Sequence, residues 1–145
     1  MPYIKLTCPE LDATARVRIA KALTDAVVDL NASAHVKPEE LREHCTVHFT
    51  PYSPDGFAIG GRMIGERPHA DVTMEYSDWA MSPRRQRRLA RELTQVLANL
   101  FHLENQLENV NIRFHPYPPT DFAVGGRLLA DIVPLIGRVM KRLSG

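Results

Sequence analysis

The sequence predicts an α/β (α+β) fold of tandem β-α-β repeats, giving a four-stranded mixed sheet with two helices on one face and a further C-terminal helix. Two observations carry this expectation. First, the chain repeats itself: HFTPYSPDGFAIGGRMI (48–64) and RFHPYPPTDFAVGGRLL (113–129) are identical at nine of seventeen positions, where unrelated segments would share about one. Second, an amphipathic helical pattern precedes each copy, and a short apolar-rich run flanks each helix on both sides.

The helical stripes match in phase. Ile19, Leu23, Ala26, Val27 and Leu30 form one, and Leu89, Leu93, Val96, Leu97 and Leu100 form the other, both at the 3.6-residue period. Asp12 or Thr14 is the candidate cap of the first helix. Ser82 followed by Pro83 starts the second, because proline at the first helical position loses no hydrogen bond. Strands are expected at Tyr3–Thr7, Thr46–Thr50, Asp71–Tyr76 and Val110–His115. Each helix, about 17 residues long, can carry the chain back so that its flanking strands run parallel. The first helix-to-strand connection is about five residues longer than the second and contains Lys37-Pro38-Glu39-Glu40-Leu41, which fits a short extra helical turn. A third helix is expected over Asp131–Leu143. The organisation is a single domain over 1–145, with halves 2–64 and 70–129 and a tail at 131–145. With both helices on one face, the other sheet face is expected to be apolar and buried by association.

Composition narrows the function classes. An apolar fraction of 44% with 24% charged residues is ordinary for a globular chain. The net charge of +1 supplies no general field for nucleic acid or anionic membranes. No apolar run reaches the roughly 18 residues of a membrane span, and the start lacks the basic and apolar regions of a signal peptide. A cytoplasmic protein with Cys8 and Cys45 as reduced thiols is expected, with no membrane or nucleic-acid partner. His44, Cys45 and His48 invite a metal reading, but a loop entering a strand would not bring them together, so no metal and no cofactor is expected. Arg84, Arg87, Arg88 and Arg91 share one helical face, which a solvated surface explains.

A β-α-β unit opening with Met-Pro and ending in Phe-X-[Ile/Val]-Gly-Gly resembles 4-oxalocrotonate tautomerase. The residues carrying the resemblance are Pro2, Phe57-Ala58-Ile59-Gly60-Gly61 and Phe122-Ala123-Val124-Gly125-Gly126. The resemblance implies a fused, two-repeat member of the tautomerase superfamily with the tautomerase (MIF-like) fold. It also implies assembly as a homo-trimer, and a tautomerase (isomerase) that interconverts enol and keto forms of a small 2-hydroxydienoate or enolpyruvate-type carboxylate. Pro2 would be the catalytic residue. Removal of Met1, favoured by the small residue that follows, leaves a secondary amine, whose ordinary range near about 7.7–8.0 falls further in an apolar pocket or beside cations. Such a base can take a proton from an enol hydroxyl and return one to carbon.

The second half has Val72 at the position matching Pro2, so one active site per chain is expected. The family's pre-helix arginine is missing here: Leu11 or Asp12 stands there in the first half and Met81 in the second. At the second-strand position stand His48 and Arg113, the latter either a carboxylate ligand or a surface arginine. Phe57 and Phe122 match the family's pocket wall, with core packing as the plain alternative. Arg62 and Arg127 follow the double glycines and are either turn residues or further ligands. Relatives that dehalogenate or decarboxylate small three-carbon acids use a protonated proline. They are the alternative chemistry, and a catalytically silent trimeric scaffold is the non-enzyme alternative.

Overall fold

The computed structural model describes residues 1–33 and 36–132. Its elements follow the repeat. Strand β1 (Tyr3–Pro9) leads to α1 (Ala13–Asn31), α2 (Pro38–Glu43) and β2 (Thr46–Tyr52). A small hairpin of β3 (Ala58–Ile59) and β4 (Arg62–Met63) closes the first half. The second half repeats this with β5 (Val72–Trp79), α3 (Pro83–Phe101), β6 (Val110–Tyr117) and a hairpin of β7 (Ala123–Val124) and β8 (Arg127–Leu128), before α4 (Leu129–Ile132). The rest of the tail helix expected to Leu143 lies outside the described residues. In the longer first connection, α2 is the expected extra helical turn.

The sheet order is β2-β1-β5-β6. β1 pairs with β2 in parallel, and β5 with β6 likewise. The halves meet where β1 and β5 run antiparallel, with Ile4 opposite Tyr76 and Leu6 opposite Met74. Alternation along the strands sends Ile4, Leu6 and Cys8 from β1, and Val72, Met74 and Tyr76 from β5, to one face. There they meet Ile19, Leu23 and Val27 of α1 and Leu89, Leu93 and Leu97 of α3 in a shared core.

Both long helices are capped by side chains. Asp12, rather than Thr14, caps α1 by accepting from the Ala15 N–H at 2.7 Å, and Ser82 caps α3 by accepting from the Arg85 N–H at 3.2 Å. The α3 helix ends on His102 in the left-handed region (φ 57°), a common way to close the last turn. The double glycines lie at φ 61° and 77° (Gly60, Gly61) and at φ 59° and 78° (Gly125, Gly126). Two consecutive positive φ values are what a two-residue hairpin turn needs, and glycine adopts them without steric cost.

The sheet face away from the helices corrects the sequence expectation of an apolar surface. It carries Tyr3, Lys5, Thr7, His48, Glu75, Ser77, Arg113 and His115. Glu75 lies 3.9 Å from the Lys5 ammonium and 3.4 Å from His115 Nε2, while the Tyr3 hydroxyl and His48 Nδ1 are hydrogen-bonded at 2.9 Å. The reason is the strand period. Only one face of each strand meets the helices, and the intervening residues are polar, as in half-covered sheets.

Leu93 is fully buried between helix and sheet. Leu93→Ala is expected to destabilise the fold by about 2–5 kcal/mol, read as a lower urea midpoint with unchanged slope.

Candidate active site

The antiparallel β1–β5 pairing brings the start of β1 beside the end of β5. Continuing the register past Tyr3↔Ser77 sets Pro2 opposite Asp78. Pro2 is buried on the helix side of the sheet, whereas Tyr3 is exposed on the other. The Pro2 carbonyl accepts from the Thr46 N–H at 3.0 Å, which fixes the strand at its first residue. Met1 continues beyond it. Its ammonium group donates to Asp78 Oδ1 at 2.9 Å and its carbonyl accepts from the Tyr117 hydroxyl at 3.2 Å.

Asp78 is almost fully buried and holds a second cation, because Arg85 Nη2 donates to its Oδ2 at 2.8 Å. Arg85 is fully engaged. Nε and Nη2 both donate to Asn31 Oδ1, and Nη1 donates to the Trp79 carbonyl at 3.2 Å and the Ala80 carbonyl at 3.4 Å. Asn31 in turn donates to the Val27 carbonyl at 2.7 Å and contacts the Tyr76 hydroxyl at 3.2 Å. Burial among these groups drives the Tyr76 phenol far above its ordinary range, so it stays protonated. One guanidinium therefore stitches together the end of α1, the end of β5 and the start of α3. The turn it braces includes Ala80 at φ 55°, a conformation unfavourable for a residue with a Cβ.

These elements bound an open cleft of about 1010 Å³. Met1, Pro2 and Asp78 lie at its base, with Trp79 beside them. One wall is the first part of α3, with Arg84, Arg87, Arg88 and Arg91. The other is the end of α1 and the long connection to β2, with Leu30, Val36, Leu41 and His44. The arginine row that the sequence assigned to a solvated face is thus the wall of a cleft at Pro2. The sequence contained one sign of this: the matching positions of the first helix are Thr14, Val17, Arg18 and Lys21, so two of the four are basic in both halves and the complete row belongs to one.

Within the chain, the six expected substrate contacts fall elsewhere. His48 and Arg113 are exposed on the polar sheet face. Phe57 stacks on Tyr52 at 4.8 Å and Phe122 on Tyr117 at 5.7 Å between ring centres. Arg62 and Arg127 lie in the hairpins, and Arg62 donates to the Glu66 carbonyl at 3.2 Å. None of the six lines the cleft. Phe122 is the nearer aromatic to Pro2, through Tyr117. Both cysteines are free thiols, and burial pushes Cys8 up to about 11. His44 lines the cleft while His48 faces the other side of the sheet, and among the described residues no three ligating side chains gather as a metal site. No helix among the described residues is long and apolar enough to cross a membrane.

The opposite end of the molecule shows what the duplication left behind. Val72 stands where Pro2 stands, and Tyr52, the repeat partner of Tyr117, donates to the Asp71 carbonyl at 2.6 Å and accepts from the Asp71 N–H at 3.1 Å. The hollow there holds about 350 Å³.

No protein-family model and no curated protein sequence matches the chain. In structure it is similar to a native fused 4-OT, with a TM-score of 0.75 and 20% identity over 90% of this chain and 98% of that one. It is similar to a second fused 4-OT, an asymmetric trimer, with a TM-score of 0.73 and 17% identity over 90% and 98%. A member of the cis-3-chloroacrylic acid dehalogenase family matches with a TM-score of 0.69 and 18% identity over 98% of both chains. The fold is therefore the tautomerase (MIF-like) fold in its fused, two-repeat form.

Burial raises the Asp71 carboxyl above the ordinary carboxylate range, against hydrogen bonds from Thr73 and Asn111 that lower it. The folded state then binds this proton more tightly than the unfolded chain. Stability is accordingly lost as pH rises from the ordinary value, near about 3.9, through the raised one. Relative to Asp71→Asn, the wild type is expected to lose stability across that window on going towards neutral pH, measured as urea midpoints at a series of pH values.

Proposed function

We propose that, once Met1 is removed, the Pro2 amine is the general base of an enol–keto tautomerase acting on a small 2-hydroxydienoate or enolpyruvate-type carboxylate. The single observation that carries this reading is the buried Pro2 at the base of a cleft walled by Arg84, Arg87 and Arg88. A guanidinium pairs with a substrate carboxylate by two parallel hydrogen bonds, and Arg84 and Arg88, one turn apart, supply such groups without the structural commitments of Arg85. The neutral amine takes the enol hydroxyl proton. The electrons of the O–H bond form the C=O, and those of the C=C bond take a proton at carbon from the prolinium. The apolar wall of Leu30, Val36 and Leu41 favours the neutral amine.

Assembly as a homo-trimer belongs to the same proposal and is supported by the trimeric fused 4-OT of like fold. In such an assembly Arg113, His48, Phe57, Phe122, Arg62 and Arg127, which stand away from their own cleft, are the groups available to a neighbouring one.

A specific observation favours a second reading. Asp78 already holds the terminal ammonium at 2.9 Å, and a carboxylate beside an amine favours its charged form. A protonated proline would serve as an acid in dehalogenation or decarboxylation of a small three-carbon acid.

The test is ultraviolet-monitored ketonisation of 2-hydroxymuconate and phenylenolpyruvate by protein shown by mass to lack Met1. Pro2→Ala is expected to lose about 100-fold or more of wild-type turnover, and the wild-type rate is expected to rise with pH to a plateau as the amine deprotonates. Absence of wild-type turnover would overturn the tautomerase reading. A proline-dependent reaction on halogenated or oxidised three-carbon acids whose rate falls as pH rises would establish the second.

A further inference from the structure

The arginine row exceeds what one carboxylate requires. Five arginines line the cleft against two carboxylates, Asp78 and Glu40, although the whole chain carries only +1. Arg85 is neutralised by Asp78 and saturated by backbone and Asn31 oxygens, and Arg91 pairs with Glu92 at 3.0 Å. Arg84, Arg87 and Arg88 have no ion pair among the described residues. They stand on the first two turns of α3, whose N-terminal end adds positive potential. From Arg84 to Arg88 the helix rises about 6 Å, and to Arg91 about 10 Å.

The duplication supplies an internal comparison. In α1, Thr14, Ala15 and Val17 stand where α3 has Arg84, Arg85 and Arg87, while Arg18 and Lys21 match Arg88 and Arg91, and the hollow at that end is about a third of the size of the cleft. The complete row is therefore found only on the copy of the helix that faces Pro2, where Arg84, Arg85 and Arg87 have been added to two positions that are basic in both copies. A helix kept wet merely for its surface would not need that difference. Because unpaired guanidinium groups in one wall repel each other, bringing a single negative charge between them leaves most of that repulsion in place.

We propose that the cleft takes an elongated polyanionic acid, with three or more negative charges spread over about 10 Å along Arg84, Arg87, Arg88 and Arg91. This deepens the reading of Pro2 as the reacting group and rests on it for the chemistry, but not for the binding. The acid end to be transformed lies at Pro2 and Trp79. The remaining charges, as further carboxylates or a phosphate, extend along α3 away from the sheet.

Trp79 is the only tryptophan of the chain and lines the cleft, so its fluorescence reports occupancy without any turnover. Wild-type protein is titrated at low salt with acetate, adipate, citrate and phosphoglycerate, and calorimetry on the same series gives Kd independently of the tryptophan. Affinity is expected to rise about ten-fold or more with each added charge, the size of one charge-assisted contact, and to fall steeply with salt. Phosphoglycerate tighter than citrate identifies phosphate as the distal group, and the reverse identifies carboxylate. Arg87→Gln, at an exposed position, is expected to weaken the trianions about ten-fold and leave acetate unchanged, whereas Arg84→Gln, the second variant, is expected to weaken acetate and the trianions alike. Equal affinity for acetate and the trianions, or trianion binding unmoved by both variants, would overturn the proposal. Pro2→Ala retaining trianion binding while wild type shows no turnover would instead remove the catalytic reading and leave this one standing.

Discussion

The antiparallel contact between β1 and β5 is the constraint on which the rest of this molecule depends. Each half is a parallel β-α-β unit whose helix can cover only its own pair of strands. Joining the halves edge to edge lets Ile4, Leu6, Met74 and Tyr76 share one core with both helices. The same antiparallel sense sets the beginning of one inner strand against the end of the other. Pro2 therefore meets Asp78 and the first turn of α3, elements about 75 residues away in the chain.

Duplication makes two such corners, and they have diverged. At one, Pro2 begins the strand, Tyr117 holds the preceding carbonyl, and a cleft opens between α3 and the long connection that contains α2. At the other, Val72 begins the strand, Tyr52 holds Asp71 through both backbone groups, and the hollow is small. The tyrosine clamp is common to both because it is a packing device, stacked on its own repeat's phenylalanine. Arg84, Arg85 and Arg87, which have no basic counterpart in α1, and the longer connection belong to one corner alone. Asymmetry between copies that otherwise keep the same fold is what the proposed function rests on.

Within that corner, neighbours in the sequence divide between a structural role and the lining of the cleft. Arg85 has every donor group occupied and buries its charge against Asp78, so it fixes the turn that carries Trp79 and the strained Ala80. Arg84, Arg87 and Arg88 point along the cleft wall instead. The difference is one of helix phase: Arg85 is turned towards the end of α1, and the others towards open space.

The sequence by itself determined the architecture. Two in-phase helical stripes, the caps at Asp12 and Ser82, and the repeated Gly-Gly turns each encode local geometry at a fixed spacing, and their duplication dictates two like units sharing a core. It also marked Pro2 and matched it with Val72. What only the tertiary structure decided was which side chains share space with Pro2. His48 and Arg113 were natural candidates by alignment, yet strand alternation turns them to the polar sheet face. The α3 arginines looked like a solvated surface until the antiparallel pairing set that helix beside the amino terminus. Periodicity reports which face of an element is polar. Whether that face meets water or the wall of a cleft depends on long-range strand order, which no local pattern contains.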